Sequence, residues 1–313
     1  MNGPRRVRGW SWTLLLAACA ACDGAAPAGS RVERPQFSGE RAFQHLQRQL
    51  DFGPRIPGSP GHSQTLDWLS TELATRAGTV ALQRFDVVTT QGEPLALTNV
   101  WVRFNPEAPR RLLLLTHWDT RPRSDQASDA AQRDIPVPGA NDGASGTAIL
   151  LELATLFLQQ PPPVGVDLLF VDGEDYGPGT DDMFFGSREF ARQLTADQFP
   201  VYAVLLDMVG DADPEFPIEG YSADAARDLA LRVWNVARDL GYERWFPTRV
   251  GPRITDDHVP LLQKGIRTID IIDFDYGPRN SYWHTPQDQV DHVSASTLEM
   301  VGEVMAEWIY RGG

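Results

Sequence analysis

The sequence predicts one α/β domain, a central, mostly parallel twisted sheet flanked by helices on both faces. Three observations lead there. Short apolar runs alternate with segments of helical period, the order expected when helices cross between parallel strands. The runs are nearly continuous in apolar residues, as strands covered on both faces should be. Polar residues follow four of these runs, and such sheets bind ligands at the carboxyl ends of their strands. At 313 residues and 42% hydrophobic content the chain can bury a sizeable core. No internal repeat is visible, so one domain is the simplest arrangement.

The amino end reads as an export signal. Arg5, Arg6 and Arg8 precede the apolar stretch Trp10 to Ala18, a pattern of targeting segments. That stretch is too short to span a bilayer, which takes roughly 20 apolar residues. Leu16-Ala17-Ala18-Cys19 is similar to a bacterial lipoprotein cleavage box, with Cys19 as the lipidated residue and Cys22 as a second candidate. An ordinary cleaved signal is the plainer alternative. The expected location is therefore exported, anchored to a membrane through lipid alone, and facing the periplasm or the cell exterior. These are the two cysteines of the chain, so the remainder has no disulfide, thiolate ligand or cysteine nucleophile. Residues 19–36, rich in Ala, Gly, Pro and Arg, read as a tether. The division is then 1–18 signal, 19–36 tether and 37–313 folded domain.

Within the domain, Phe43, Leu46 and Leu50 recur at helical spacing, and Gly53-Pro54 ends that helix. Pro57-Gly58-Ser59-Pro60-Gly61 is a compact turn before a second helix through Leu66, Leu69 and Leu73. Strands are expected at 80–88, 97–104 and 112–116. A helix over 146–159 follows, with Ile149, Leu150, Leu153 and Leu156 on one face. Then come strand 166–171, helix 187–194, strand 201–206, helix 223–240, strand 268–272 and helix 294–309.

A net charge of −14 argues against nucleic acid, whose phosphates call for clustered Lys and Arg. It suits cationic substrates such as peptide amino termini, although carboxylates kept for solubility explain it equally.

The polar residues at the strand ends carry the chemistry. His117 and Asp119 follow run 112–116, Glu174 and Asp175 follow 166–171, Asp207 closes 201–206, and His284 lies beyond 268–272. Asp142 sits in Asn141-Asp142-Gly143-Ala144-Ser145-Gly146, where no Gly-Lys-Ser or Gly-Lys-Thr follows, so a phosphate loop is rejected. Asp142 is then a metal ligand or only a helix cap. A borderline cation such as zinc accepts imidazole nitrogen and carboxylate oxygen, and it would offset acids that are costly to bury unpaired. His117 and Asp119 point to one side of an extended segment and could be a ligand with its orienting carboxylate. Alone they would more often be structural. Of the adjacent acids Glu174 and Asp175, one can bind metal while the other stays free as a general base; in isolation the pair would be a solvated loop. Asp256-Asp257-His258 is either a helix start with acidic caps or the source of an active-site acid. His45, His62 and His292 are expected to be surface or structural.

From about Pro54 to the end, the chain resembles the zinc-dependent, animal-type glutaminyl-peptide cyclotransferases, within the wider zinc aminopeptidase-like fold. The matching segments are Pro57-Gly58-Ser59-Pro60-Gly61, Asp172-Gly173-Glu174-Asp175, Phe185-Gly186-Ser187-Arg188, Leu206-Asp207-Met208-Val209-Gly210, Asp256-Asp257-His258-Val259-Pro260 and Trp283-His284-Thr285. Trp283 directly before His284, and the Asp207 segment running into Asp213-Pro214-Glu215-Phe216-Pro217, favour the cyclotransferases over the aminopeptidases. The resemblance implies one Zn2+ held by Asp142, Asp175 and His284, with Glu174 as the acid/base. It places Asp207 and Asp256 in an acidic network beside Glu174, and it implies a substrate pocket framed by Trp283, Tyr282 and Tyr276. The implied substrates are peptides or proteins beginning with glutamine, converted to pyroglutamate with loss of ammonia. Asp175 stands where the family usually has glutamate, residues 176–183 look shortened and lack a tryptophan found in animal members, and the animal disulfide is absent. A dinuclear zinc aminopeptidase is the alternative, with His117 and Asp207 holding a second ion and Asp142 bridging. A third reading is a surface lipoprotein that only binds peptides.

Overall fold

The computed structural model describes residues 1–3, 32–77 and 79–313; the expected signal from residue 4 on, Cys19 and Cys22 lie outside them. The apolar runs become six strands, β1 (Val80–Val88), β2 (Pro94–Phe104), β3 (Arg111–His117), β4 (Gly165–Val171), β5 (Tyr202–Asp207) and β6 (Thr268–Ile272). They form one sheet in the order β1-β2-β4-β3-β5-β6. The strands β4, β3, β5 and β6 run parallel, and the hairpin β1–β2 is added antiparallel at one edge. The expectation of a mostly parallel sheet holds.

Because successive side chains of a strand point to opposite faces, each central strand feeds two cores. Leu112, Leu114, Val166, Leu168, Val204, Leu206, Ile269 and Ile271 pack on one face, under residues of α1 (Gly39–Asp51), α2 (Pro60–Ala77), α3 (Ala144–Gln159) and α8 (Ala295–Tyr310). Leu113, Leu115, Leu169, Val171, Ala203 and Leu205 pack on the other, with Phe190 and Ala191 of α4 (Phe185–Gln193) and Leu261 of α7 (His258–Gln263). Each such leucine contributes on the order of 1.5–3 kcal/mol by leaving water. That burial holds the strand ends at the rim in place.

Two helices differ from expectation. The helix expected over 223–240 is two, α5 (Gly220–Ala225) and α6 (Arg227–Asp239), interrupted at Ala226 (φ −143°, ψ 36°). Glu219 starts α5 early by accepting the N–H groups of Tyr221 and Ser222, which aims the Ser222 hydroxyl at the Asp270 N–H of β6. The short α7 was expected only as one alternative, a helix start at Asp256-Asp257-His258, since six residues give little periodicity.

The tether boundary at 36 also moves. Val32 N–H donates to Glu307 Oε1, and the Arg34 side chain, 4% exposed, pairs with Glu303 and Glu307 of α8 at 2.7 and 2.9 Å. Packing onto α8 therefore begins by Val32, before the first helix.

Candidate active site

The carboxyl ends of β3, β4 and β5 and the loop after β6 deliver His117, Asp119, Glu174, Asp175, Asp207 and His284 to one place. Asp142 joins them from the amino end of α3. Its helix begins after Gly143 with no side-chain cap, so Asp142 is not a cap. Its N–H and that of Asn141 donate to Asp288 at 3.2 and 2.7 Å, which turns the carboxylate toward the two histidines. Oδ1 lies 3.0 Å from His117 Nε2 and Oδ2 lies 3.4 Å from His284 Nε2. A Cβ on Gly143 would come within 2.7 Å of the Asp119 carbonyl and 3.0 Å of His117 Cε1, so glycine is required for this approach.

Two groups of three result, with ligand atoms close enough to share an ion: Asp142–Asp175–His284 and His117–Asp142–Asp207. In the first, His284 Nε2 is 3.2 Å from Asp175 Oδ1. In the second, His117 Nε2 is 3.3 Å from Asp207 Oδ1. A tetrahedral zinc with bonds of about 2.0–2.1 Å sets its ligand atoms roughly 3.3 Å apart, and the histidine–carboxylate separations of 3.0, 3.2, 3.3 and 3.4 Å in the two groups lie near that value. Both ring nitrogens of His117, Asp175 Oδ2 and Asp207 Oδ1 have no hydrogen-bond partner among the described residues, although all three residues are buried. Donor atoms that converge without hydrogen-bonding one another are what a divalent cation needs. A third group, Asp256–His258–Asp270, is looser, with His258 Nδ1 3.8 Å from Asp270 Oδ2.

Asp119 acts differently from expectation. Its two oxygens accept the N–H groups of Glu174 and Asp175, each at 3.1 Å, and His117 Nδ1 is 3.6 Å away. It therefore clamps the loop after β4 rather than bonding the imidazole. Strained backbone surrounds the site: Phe184, Met208 and His284 have φ of +60°, +48° and +52°, each at a cost on the order of 1–3 kcal/mol.

Electrostatics follow from burial and sign. Burial opposes a charged His117, but Asp207, Asp119 and Asp142 outweigh it and hold its pKa well above the usual imidazole value. Burial likewise opposes charge on His284, yet Asp175 and Asp142 push it up to about 9. Asp142 is pulled below the carboxylate range by the two histidines, against its own burial. Glu174 moves the other way: burial first, then Asp175, Asp257 and Asp207, raise it well above its ordinary value despite His117. Burial, with Asp207 and Asp270 nearby, also raises Asp256.

These acids open into a small pocket lined by Asp142, Glu174, Asp207, Asp256, Trp283 and His284, with Met183, Met208, Ile254, Thr255, Ile272 and Phe274 as its other walls. Trp283 stacks on His284 at 3.9 Å and meets the Phe274 ring edge-on at 5.0 Å. Asp256 is an acid of this pocket and neither it nor Asp257 caps α7 through a side chain. Tyr276 and Tyr282 do not line the pocket. Tyr276 is buried with its hydroxyl donating to Asp288, and Tyr282 stacks on His292, so of the three residues the resemblance implied, Trp283 alone lines the pocket. His62 is structural as expected, 3.0 Å from Asp172. Adjoining the pocket through Ile254, Ile272 and Phe274 is a wider cleft of about 300 Å³ with Asp213, Glu215, Arg249, Asp273 and Asp275 on its walls.

Sequence reasoning missed Arg121, Asp125 and Asp288. Arg121 continues the two-residue period of His117 and Asp119, a signal that was there to be read. Asp288 acts across 147 positions, and no local pattern marks it.

Comparison with known proteins places these residues in context. The family model for peptidase family M28 matches residues 99–309. A glutaminyl-peptide cyclotransferase-like protein of Bos taurus is 29% identical over 285 residues, covering 82% of this chain and 71% of that protein. The structure of a Bacteroides thetaiotaomicron glutaminyl cyclase bound to N-acetylhistamine superposes with a TM-score of 0.86 at 36% identity, covering 90% of this chain and all of that one. A structure described as a leucine aminopeptidase precursor from the same organism also matches with a TM-score of 0.86 at 36% identity, covering 90% of this chain and 99% of that one.

Proposed function

We propose, for a chain that belongs to peptidase family M28 and within it to the glutaminyl cyclases, the conversion of amino-terminal glutamine of peptides to pyroglutamate with release of ammonia. The observation that carries this reading is the Asp142–Asp175–His284 group beside a buried Glu174 whose nearest cationic group is His117 Nδ1 at 3.8 Å. The group would hold one zinc ion. Its chemistry when bound is polarisation of the γ-carbonyl of the substrate.

The chain's own residues supply the rest. The glutamine side chain enters between Trp283 and the wall of Ile254 and Ile272, folded back toward its α-amine, which makes the attack intramolecular and lowers its entropic cost. Glu174 takes a proton from the amine as nitrogen bonds to the side-chain carbonyl carbon (Cδ), then passes it to the departing ammonia as the carbon–nitrogen bond of the amide breaks. Burial raises the Glu174 carboxyl, which makes its ionised form a stronger proton acceptor. Asp207 and Asp256 face the same pocket, and Asp256, raised by burial, would share a proton with the acids around it. The rest of the peptide would leave along the adjoining cleft.

Mass spectrometry of a glutamine-initiated peptide incubated with the purified protein tests the reading. The expected product is lighter by one ammonia, about 17 Da, the leaving group of the proton-transfer step. An unchanged peptide would overturn it. A peptide shortened by its first residue would instead support a two-metal aminopeptidase using His117, Asp142 and Asp207, a reading favoured by the donor spacing of that second group. For location, the basic and apolar start and Cys19 support export and a lipid anchor, with residues 19 to about 31 as the tether; among the described residues no helix is long and apolar enough to cross a membrane.

A further inference from the structure

Arg121 leaves the end of β3 on the same side as His117 and Asp119, and nothing above uses it. It is 2% exposed, and all five of its N–H donors are engaged. Nη1 donates to Asp175 Oδ1 at 2.6 Å and to Met183 Sδ at 4.0 Å. Nε and Nη2 donate to the two oxygens of Asp125 at 3.0 and 2.8 Å, and Nη2 also reaches the Pro178 carbonyl at 3.3 Å. Asp125 in turn faces the other histidine group: its Oδ1 lies 3.7 Å from His284 Nδ1, and the next residue, Gln126, donates its N–H to the His284 carbonyl at 3.3 Å. His284 is thereby held in its left-handed conformation from the same short segment that grips Asp175. Gly177 completes the seat. A Cβ there would lie 2.5 Å from Arg121 Nη2, so the loop after Asp175 rests directly on the guanidinium.

A structural ion pair is the plain alternative, but its partners are not scattered. One acceptor is a carboxylate assigned to the metal, another faces the ring of a second assigned ligand, and Met183 lines the pocket. Asp125 matches the guanidinium charge bidentately, so the pair adds orientation near the cation without adding net positive charge. We propose that Arg121, balanced by Asp125, is the positioning residue of the zinc site: it fixes Asp175 with Oδ1 toward His284 Nε2 and ties the Asp125–Gln126 segment to His284. This arrangement lets aspartate serve at position 175. The proposal rests on the assignment of Asp175 and His284 as ligands.

The test is zinc affinity, measured on chelator-stripped protein by competition with a chromophoric chelator, together with the visible spectrum of the cobalt(II)-loaded protein. Arg121→Ala is expected to weaken zinc binding on the order of 10–100-fold and to alter the cobalt bands. Arg121→Lys should fall between, because an ammonium restores the charge but not the planar fork, and Asp125→Asn should lose less than Arg121→Ala. Should Arg121→Ala not fold, Gly177→Ala and Gly179→Ala carry the test. The first pushes a methyl into the guanidinium and, at a φ of +54°, also strains the loop that rests on it, and should weaken zinc binding; the second points into open space and should not. Wild-type affinity and cobalt spectrum in Arg121→Ala, or equal zinc loss in the two glycine variants, would overturn the proposal. Failure of the cyclotransferase reading is seen separately, as wild-type protein that binds zinc yet leaves glutamine-initiated peptides unchanged.

Discussion

Buried carboxylates occur in two regions of this molecule, and they are treated in opposite ways. On α8, Glu303 and Glu307 are 4% and 0% exposed, and arginines answer them. Arg34 bonds both, Arg311 bonds Glu307 at 2.9 Å, and the N–H groups of Val32 and Phe37 complete the set. Burial alone would raise Glu307, but Arg34, the Val32 N–H and Arg311 bring it below its ordinary value. At the strand ends Asp142, Glu174, Asp175, Asp207 and Asp256 are about as deeply buried, yet oxygens of Asp175, Asp207 and Asp256 have no partner among the described residues. Glu174 and Asp256 are raised rather than lowered. Burial of an acid therefore does not mark function in this chain. What separates the two regions is that α8 answers its acids with arginines, whereas the site gathers acids around two histidines.

The sharpest way to break that contrast is Glu174→Gln. Turnover should fall on the order of 10²–10⁴-fold, the usual worth of general acid–base catalysis, while zinc content by atomic absorption stays at the wild-type level. Retained turnover would remove Glu174 as the base. In the paired region the reverse is expected. Arg34→Ala should cost about 3–5 kcal/mol, because it strands buried charge, and should leave turnover per folded molecule unchanged. Denaturant unfolding with a parallel rate assay would read both, and a loss of activity without a loss of stability would erase the distinction.

Glu219 sharpens the comparison at short range, because it is a partnered acid in the wall of the cleft. Its burial would raise it, but His258 at 3.2 Å and the N–H groups of Ile254 and Ser222 bring it down to about 2. Since the folded value lies below the unfolded one, its contribution is fully present above pH ~4.5 and is lost as pH falls through about 2. By linkage that contribution is on the order of 3 kcal/mol. Glu219→Gln should therefore be less stable than wild type at neutral pH by about this amount, and urea titrations should show the gap closing toward pH 2. A gap independent of pH would mean that Glu219 is not held ionised by its neighbours.

Much of the frame was legible because parallel strands buried on both faces must be written as apolar runs. β1 and β6 fall where expected, and the four other strands differ by a few residues at their ends. The break at Ala226 was not legible, since no Gly or Pro marks it and a cap from Glu219 decides it. At the site, residues that end strands could be recognised, because the sheet itself brings their positions together. Residues that support them could not, except Arg121, because Asp288 and Asp125 act through contacts the chain makes only after folding. Tyr276 and Tyr282, implied by the resemblance alone, turn toward Asp288 and His292 through contacts that also form only on folding.

Asp142 belongs to both ligand groups, offering one oxygen to each histidine. A descendant of this scaffold could change its chemistry through the His117 group, with no strand or helix relocated. Divergence within such a lineage would then be written in a handful of side chains that decide how many cations the rim retains, while the backbone stays as it was.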